Sequence, residues 1–336
     1  MKLRLVTPNF HDCLICNKKK YENINNKIFI FNNKEYNLNS MFAYYLAGLI
    51  EGDGSISIPN IKKGEKLRYP VIKITFAEKD LPLAEKINSY LIDGNIYKEK
   101  GKYYNLVFYK MNVNILIINL INGKLRTPKI YALYKLIDWF DETKNIKIPK
   151  LGIDFTNLNN NSWLSGFLDT DGSFSAFYKL NKLNIVTELR CYMRISQKQN
   201  KNYFGFEDNN NNNNLKNSNI IIDHSYLYIM NTIKDYLNVS NLRIINRNRK
   251  NFKELGYEIR TNKIVSNYIL INYLNKYPLF SSKFLDYTDW KIIFDMKMNK
   301  EYKWKRGTEK LVTLKLGMNN NRINFHWEHL NNFWVI

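Results

Sequence analysis

Between positions 39 and 54 the chain carries an apolar run, Phe42-Ala43-Tyr44-Tyr45-Leu46-Ala47-Gly48-Leu49-Ile50, opened by Asn39-Ser40 and closed by Glu51-Gly52-Asp53-Gly54. Asn or Ser before such a run suits a helix N-cap, and the run is long enough for about three helical turns. A strict alternation follows at once, Ser55-Ile56-Ser57-Ile58, the period of a half-buried strand. The same succession returns over a hundred residues later. Asn161-Ser162 precedes Trp163-Leu164-Ser165-Gly166-Phe167-Leu168-Asp169-Thr170-Asp171-Gly172, and Ser173-Phe174-Ser175-Ala176-Phe177 follows it. Residues 46–54 and 164–172 thus form a nine-residue repeat. It is small at the third position, acidic at the sixth and eighth, and ends on Gly. A duplicated helix–turn–strand unit predicts a pseudo-twofold molecule.

The rest of each half follows the same order. After the first motif the pattern predicts strands at 55–58 and 69–76, a helix over Leu81–Leu91, a hairpin over 95–100 and 103–109, and helices near 112–121 and 128–140. After the second it predicts strands at 173–178 and 188–196, a helix near 224–237, strands near 242–249 and 254–261, and helices near 262–275 and 282–296. Each half reads as an αββαββα unit, so the fold class is α+β. The motif helices pack at the interface of the halves, and two antiparallel sheets flank them. Internal alignment matches Phe76-Ala77-Glu78-Lys79 with Ile195-Ser196-Gln197-Lys198, and Thr127-Pro128-Lys129 with Ser281-Ser282-Lys283. The expected layout is an extension over 1–38, repeats over 39–143 and 158–296 joined by a linker over 144–157, and a basic tail over 297–336.

The motif has direct physical consequences. Gly48 and Gly52, like Gly166 and Thr170, are spaced i, i+4 and present a smooth stripe along which two helix backbones can approach closely. The run is too short to span a bilayer, so the helices are expected to pack on each other in a soluble core. Gly54 and Gly172 suit the left-handed residue of a helix C-terminus. Asp53 and Asp171 then face the negative ends of two helix dipoles and each other. A divalent cation is the simplest compensation, and carboxylates with backbone carbonyls suit Mg²⁺. For Glu51 and Asp169, a solvated helix charge and a supporting role at the site both remain open.

Charge adds a partner. Lys plus Arg number 51 against 30 Asp plus Glu, for a net charge of +21, and that excess points to a polyanion. Strand parity supplies the surface. Arg190, Tyr192, Arg194 and Ser196 alternate with Cys191, Met193 and Ile195, so one face is apolar and the other cationic. Arg243, Arg247 and Arg249 share a parity, as do Lys98 and Lys100, and the matching face of the first half is expected to carry Tyr69, Lys73 and Thr75. Two such sheets about a dyad form a basic saddle. A β-ribbon fits the DNA major groove, although many of the contacts will position phosphates.

Other chemistries fit less well. No apolar run reaches eighteen residues and no signal-peptide pattern opens the chain, which argues against a membrane partner. Three cysteines argue against a disulfide framework. Cys13 and Cys16 form a lone CxxC with His11 as the one nearby further ligand, short of the four a structural zinc takes. Four histidines leave little room for a nuclease built on paired histidines. Heavy use of Asn, Lys, Ile, Tyr and Phe, with an unbroken run from Asn209 to Asn214, indicates an AT-rich gene and an organellar source, mitochondrion or chloroplast.

The repeated nonapeptide resembles that of the single-chain, two-repeat LAGLIDADG homing endonucleases, and the resemblance spans roughly residues 41–300. It implies a monomer that cuts both DNA strands at a long asymmetric site and leaves 3′ overhangs. Asp53 and Asp171, with the carbonyls of Gly52 and Thr170, would hold Mg²⁺; Mn²⁺ would substitute, and Ca²⁺ would bind without turnover. Lys129 and Lys283 match the family's active-site lysines in position. Gln197 matches a solvent-ordering Gln, while Glu78 stands at that place in the first half and makes the sites unequal. Residues 317–322 look like the C-terminal segment of fungal intron-encoded members. Two further readings share the fold: an RNA maturase that binds its host intron, and a non-cutting regulator. Loss of the two acids and a helix-turn-helix would mark the regulator; both acids are present here, and no convincing helix-turn-helix is evident.

Overall fold

The computed structural model describes residues 26–31, 34–59, 68–200, 225–248 and 253–334. Helix α1 (Ser40–Asp53) runs straight into strand β3 (Gly54–Ser57), with a short hairpin before it, β1 (Asn26–Phe31) and β2 (Lys34–Asn39). The apolar pattern of this extension is too irregular to announce the hairpin. The first half continues through β4 (Val71–Ala77), α2 (Leu81–Leu91), β5 (Asn95–Lys98), β6 (Tyr103–Phe108), α3 (Met111–Ile121) and α4 (Ile130–Lys144). The second half repeats the order. Its elements are α5 (Trp163–Asp171), β7 (Gly172–Leu180), β8 (Val186–Lys198), α6 (Leu227–Tyr236), β9 (Arg243–Asn248), β10 (Lys253–Arg260), α7 (Ile264–Lys276) and α8 (Lys283–Met298). Each half is therefore the expected αββαββα unit followed by the further helix expected near 128–140 and 282–296, which begins at or beside the matched lysine.

The two four-stranded sheets are antiparallel with equivalent orders, β3-β4-β6-β5 and β7-β8-β10-β9. In the central strands one face is buried: Ile72, Ile74 and Phe76 in β4, and Cys191, Met193 and Ile195 in β8. The helices cover that face and leave the other open. α1 is buried from Phe42 to Glu51 apart from Tyr44, because it lies between the halves and meets apolar neighbours all round.

The motif helices touch backbone to backbone. A Cβ on Gly48 would lie 2.1 Å from the Trp163 carbonyl oxygen, and one on Gly166 would lie 2.0 Å from that of Tyr45. The reciprocity is the pseudo-dyad in atomic terms. Gly54 and Gly172 correct the expectation of left-handed caps. Gly172 is extended, with φ −76° and ψ 152°. A Cβ at either residue would sit 2.6 Å from the carbonyl oxygen four residues back. Space at the helix-to-strand junction, not backbone handedness, selects these glycines.

The tail ties the halves together. After α9 (Lys305–Leu316), Asn319 N–H donates to Asp286 at 2.9 Å, and Arg322 bridges Asp286 and Asp289. The chain then crosses to the first half. The Phe333 ring meets Phe42 and Tyr90, and the Tyr90 hydroxyl donates to the Phe333 carbonyl at 2.7 Å. The segment 317–322 is thus a clip on α8, and the residues after it are a strap. His11, Cys13, Cys16 and the Asn run lie outside the described residues.

Candidate active site and nucleic-acid interface

The two motif acids stand at the ends of α1 and α5, side by side because the helices cross on glycine. Burial and the nearby charge of Asp53 push Asp171 up to about 6. Asp53 is raised too, by burial first, although the residue keeps part of its surface exposed to solvent. A third carboxylate escaped the sequence reading. Asp80, buried in the turn after β4, accepts the Ser282 N–H at 2.6 Å and so caps α8 from the opposite half.

Lys129 and Lys283 reach the same place from the starts of α4 and α8. Lys129 Nζ donates to the carbonyls of Ile50 (2.8 Å), Gly52 (2.8 Å) and Gly54 (2.7 Å). Lys283 Nζ donates to those of Leu168 (3.4 Å) and Thr170. Burial pushes Lys129 down to about 8 and lowers Lys283 as well, against the pull of the surrounding carboxylates. The Gly52 and Thr170 carbonyls, expected as free metal ligands, therefore each hold an ammonium group. All three protons of Lys129 point at backbone carbonyls of the α1 C-terminus, an end of the helix where a cation is favoured.

Glu51 and Asp169 are not solvated helix charges. Both are buried, and burial raises both. Glu51 accepts the N–H groups of Arg126 and Thr127 at 2.9 and 2.6 Å and the Trp163 indole N–H at 2.6 Å. Asp169 accepts the N–H groups of Phe280 and Ser281 at 2.8 and 3.2 Å, the Ser281 hydroxyl, and the Tyr45 hydroxyl at 2.7 Å. Each acid anchors the loop that launches a lysine helix. A signal was present in the sequence: the acid and the aromatic before the motif, Tyr45 or Trp163, both recur in the repeat.

Gln197 donates through Nε2 to Asp171 Oδ2. Glu78 does not reach the acids; it is exposed, and its carboxylate pairs with Lys98 at 2.7 Å. The two half-sites are therefore unequal, and Glu78 is not brought into the first.

On the open sheet faces the structure sorts the expected residues. Lys73 pairs with Ser55 and Val107, and Thr75 with Asn105, on the face turned away from the helices, where Val107 and Asn105 are themselves buried. Lys98 pairs with Tyr104, in register with Ile96 and the buried Leu106; it is on the other face. Lys100 lies in the turn beyond β5. Tyr69 precedes the strand, and its ring packs on Trp139 of α4 at 5.9 Å with Lys144 over it, so strand parity does not extend to it. In the second half Arg190, Tyr192 and Arg194 pair with Phe177, Ser175 and Ser173 on the open face. Arg190 is held by Glu188, and Arg243 lies 3.4 Å from Glu258, which also binds Arg260 at 2.6 Å. Arg194 has no ion-pair partner among the described residues. Arg247 keeps the register of Arg243 along β9, and Arg249 lies outside the described residues.

The raised Asp171 carboxyl makes a sign-specific prediction. Its folded pKa, about 6, exceeds its ordinary 3.8, so the folded chain holds the extra proton between those values. That stabilisation is complete below pH 3.8 and is lost as pH rises through about 6. In chelator-treated protein, the melting temperature of Asp171→Asn relative to wild type is expected to climb across this window and level off above it. A flat difference across pH would show that the carboxyl titrates normally.

Comparison with known proteins agrees with this geometry. The LAGLIDADG endonuclease family pattern matches residues 46–140 and 204–294, more than half of the chain. The second motif copy lies between these spans, and the helix pair places it. The chain is 32% identical over 348 residues to the intron-encoded DNA endonuclease aI3 of Saccharomyces cerevisiae, covering 95% of this chain and 80% of that protein. It is 29% identical over 157 residues to the intron-encoded RNA maturase bI4 of the same yeast, covering 45% of this chain and 22% of that one. Among solved structures it resembles the I-SmaMI LAGLIDADG homing endonuclease bound to cleaved DNA, with a TM-score of 0.60 and 19% identity over 86% of this chain and 99% of the other. With its duplicated motif, crossed glycine helices and paired terminal acids, the chain belongs to the LAGLIDADG endonuclease family.

Proposed function

We propose that this chain is a monomeric, site-specific DNA endonuclease, encoded within an organellar intron, that hydrolyses both strands of a long asymmetric target and leaves 3′ overhangs. The observation that carries the reading is the pair of acids, Asp53 and Asp171, held together at the crossing of α1 and α5. Both carboxyls are raised above their ordinary values, so the site favours added positive charge. The hard oxygen donors fit a hard divalent cation, Mg²⁺ with Mn²⁺ as substitute. Such ions, when bound, supply an activated water and stabilise the leaving oxygen. Asp53 and Asp171 would hold them, and the Gly52 and Thr170 carbonyls would join only where the lysine ammonium groups give way. Lys129 and Lys283 place positive charge beside the scissile phosphates. Gln197 orders solvent at Asp171; Glu78 supplies no equivalent at Asp53, so the two strands are cut at different rates.

The open faces around Lys73, Thr75, Arg190, Tyr192, Arg194 and Arg243 form the DNA saddle. Arg194→Ala is expected to weaken target binding by about 1–3 kcal/mol and to relax preference at one base pair. Equal weakening on every sequence would make it a phosphate contact. The decisive test is cleavage of a random-site plasmid library with Mg²⁺ beside a Ca²⁺ control, with the ends sequenced. Breaks at one long motif in Mg²⁺ alone support the endonuclease. No breaks, with tight binding to the host intron RNA, would move the reading to a maturase, which the partial likeness to bI4 favours as the second activity.

A further inference from the structure

We propose that Tyr45 and Trp163 are positioning residues that act across the pseudo-dyad, each setting the active-site lysine of the opposite half. The inference rests on the nuclease reading above and deepens it. Two unbroken chains of contacts carry it. From α1, the Tyr45 hydroxyl donates to Asp169 Oδ2 at 2.7 Å. Asp169 grips the N–H groups of Phe280 and Ser281 and the Ser281 hydroxyl. Ser281 Oγ in turn accepts the Lys283 N–H at 3.2 Å, and the Lys283 ammonium lies on the Thr170 carbonyl. From α5, the Trp163 indole N–H donates to Glu51 Oε2 at 2.6 Å. Glu51 grips the N–H groups of Arg126 and Thr127. Thr127 Oγ1 accepts the Lys129 N–H at 3.2 Å, and the Lys129 ammonium lies on the Gly52 carbonyl.

The chains are equivalent link by link, although one begins with a phenol and the other with an indole. Both are buried aromatics, and both place a hydrogen-bond donor on the partner helix's acid. A ring that merely filled space would not need its polar atom aimed at the partner helix's acid. Removing the donor leaves a buried carboxylate oxygen one bond short. The carboxylate is then held only from the loop side, by its bonds to that loop, and its position relative to the partner helix loosens. Tyr45→Phe isolates this effect, because the ring keeps its contacts with Phe280, Phe333 and Trp334.

The test follows single-turnover cleavage of the target duplex with each strand labelled separately, for Tyr45→Phe, Trp163→Phe, Lys129→Met and Lys283→Met. Tyr45→Phe is expected to slow the strand that Lys283→Met slows, by about tenfold, and to leave the other strand within about twofold. Trp163→Phe is expected to pair with Lys129→Met. Equal slowing of both strands by Tyr45→Phe, or pairing with the wrong lysine, would overturn the assignment. A second readout needs no activity: nitrogen NMR of the lysine ammonium groups in metal-free, DNA-free protein. There Tyr45→Phe is expected to shift or speed proton exchange at the Lys283 signal and spare the Lys129 signal; unchanged signals overturn the proposal. If wild-type protein cuts no DNA, the nuclease reading fails while this measurement still decides the coupling. If Trp163→Phe does not fold, the Tyr45–Lys283 pair alone decides it.

Discussion

Asp171→Asn is expected to abolish double-strand cleavage while leaving DNA binding intact. Asn keeps the shape of the side chain and one oxygen but removes the negative charge that would hold a divalent ion. The expected loss is roughly a thousandfold in rate, about 4 kcal/mol of barrier. Binding draws on the open sheet faces, and removing an anion near phosphate does not weaken it. Asp53→Asn is expected to do the same, since each acid lies in the field of both lysines. The same Asp171 substitution also relieves an unfavourable buried charge, so the inactive protein is expected to be the more stable one above pH 6. Quantitative cleavage of a supercoiled target plasmid, beside gel-shift binding of the same site, checks both halves. Normal linearisation by either variant would remove the acids from the proposed chemistry.

The motif was legible because it is local. Nine consecutive residues, a cap signal and an alternating strand specify helix, turn and strand without distant partners, and duplication supplies the dyad. Counting along two aligned halves paired Lys129 with Lys283, and the family resemblance implied their place in the site. What stayed hidden depends on distance in sequence. Nothing near Glu51 indicates that Arg126 and Thr127, seventy-five and seventy-six positions on, bring two N–H groups to its carboxylate. Nothing near Asp80 indicates that it caps a helix 202 positions away. Parity worked within β4 and β8, where both faces have defined neighbours, and failed at strand ends. Tyr69 stands before Pro70, outside β4, and turns to Trp139. Lys98 takes its face from its pairing with β6, which cannot be read from its own strand. Glu78 was placed by alignment, but a lysine twenty residues away takes its carboxylate.

Gly166→Ala, or its counterpart Gly48→Ala, is expected to be strongly damaging for a single added methyl. The added carbon would stand 2.0 Å from the Tyr45 carbonyl oxygen and 2.9 Å from the Leu49 nitrogen. Both are backbone atoms of the opposite helix, so no side-chain rotation relieves the clash, and α1 and α5 must separate. Separation loosens contacts along the whole crossing and spreads Asp53 from Asp171. A loss of roughly 3 kcal/mol of stability is expected, together with a loss of cleavage larger than the stability change alone explains. Gly152→Ala is the control, because nothing lies within 4 Å of a Cβ there, and it is expected to change stability by less than about 0.5 kcal/mol. Denaturant unfolding of the three variants beside wild type measures the difference. Equal stability of Gly166→Ala and Gly152→Ala would mean that the helices do not meet on glycine. The shared placement of the two acids, on which the proposed chemistry depends, would then lose its structural basis.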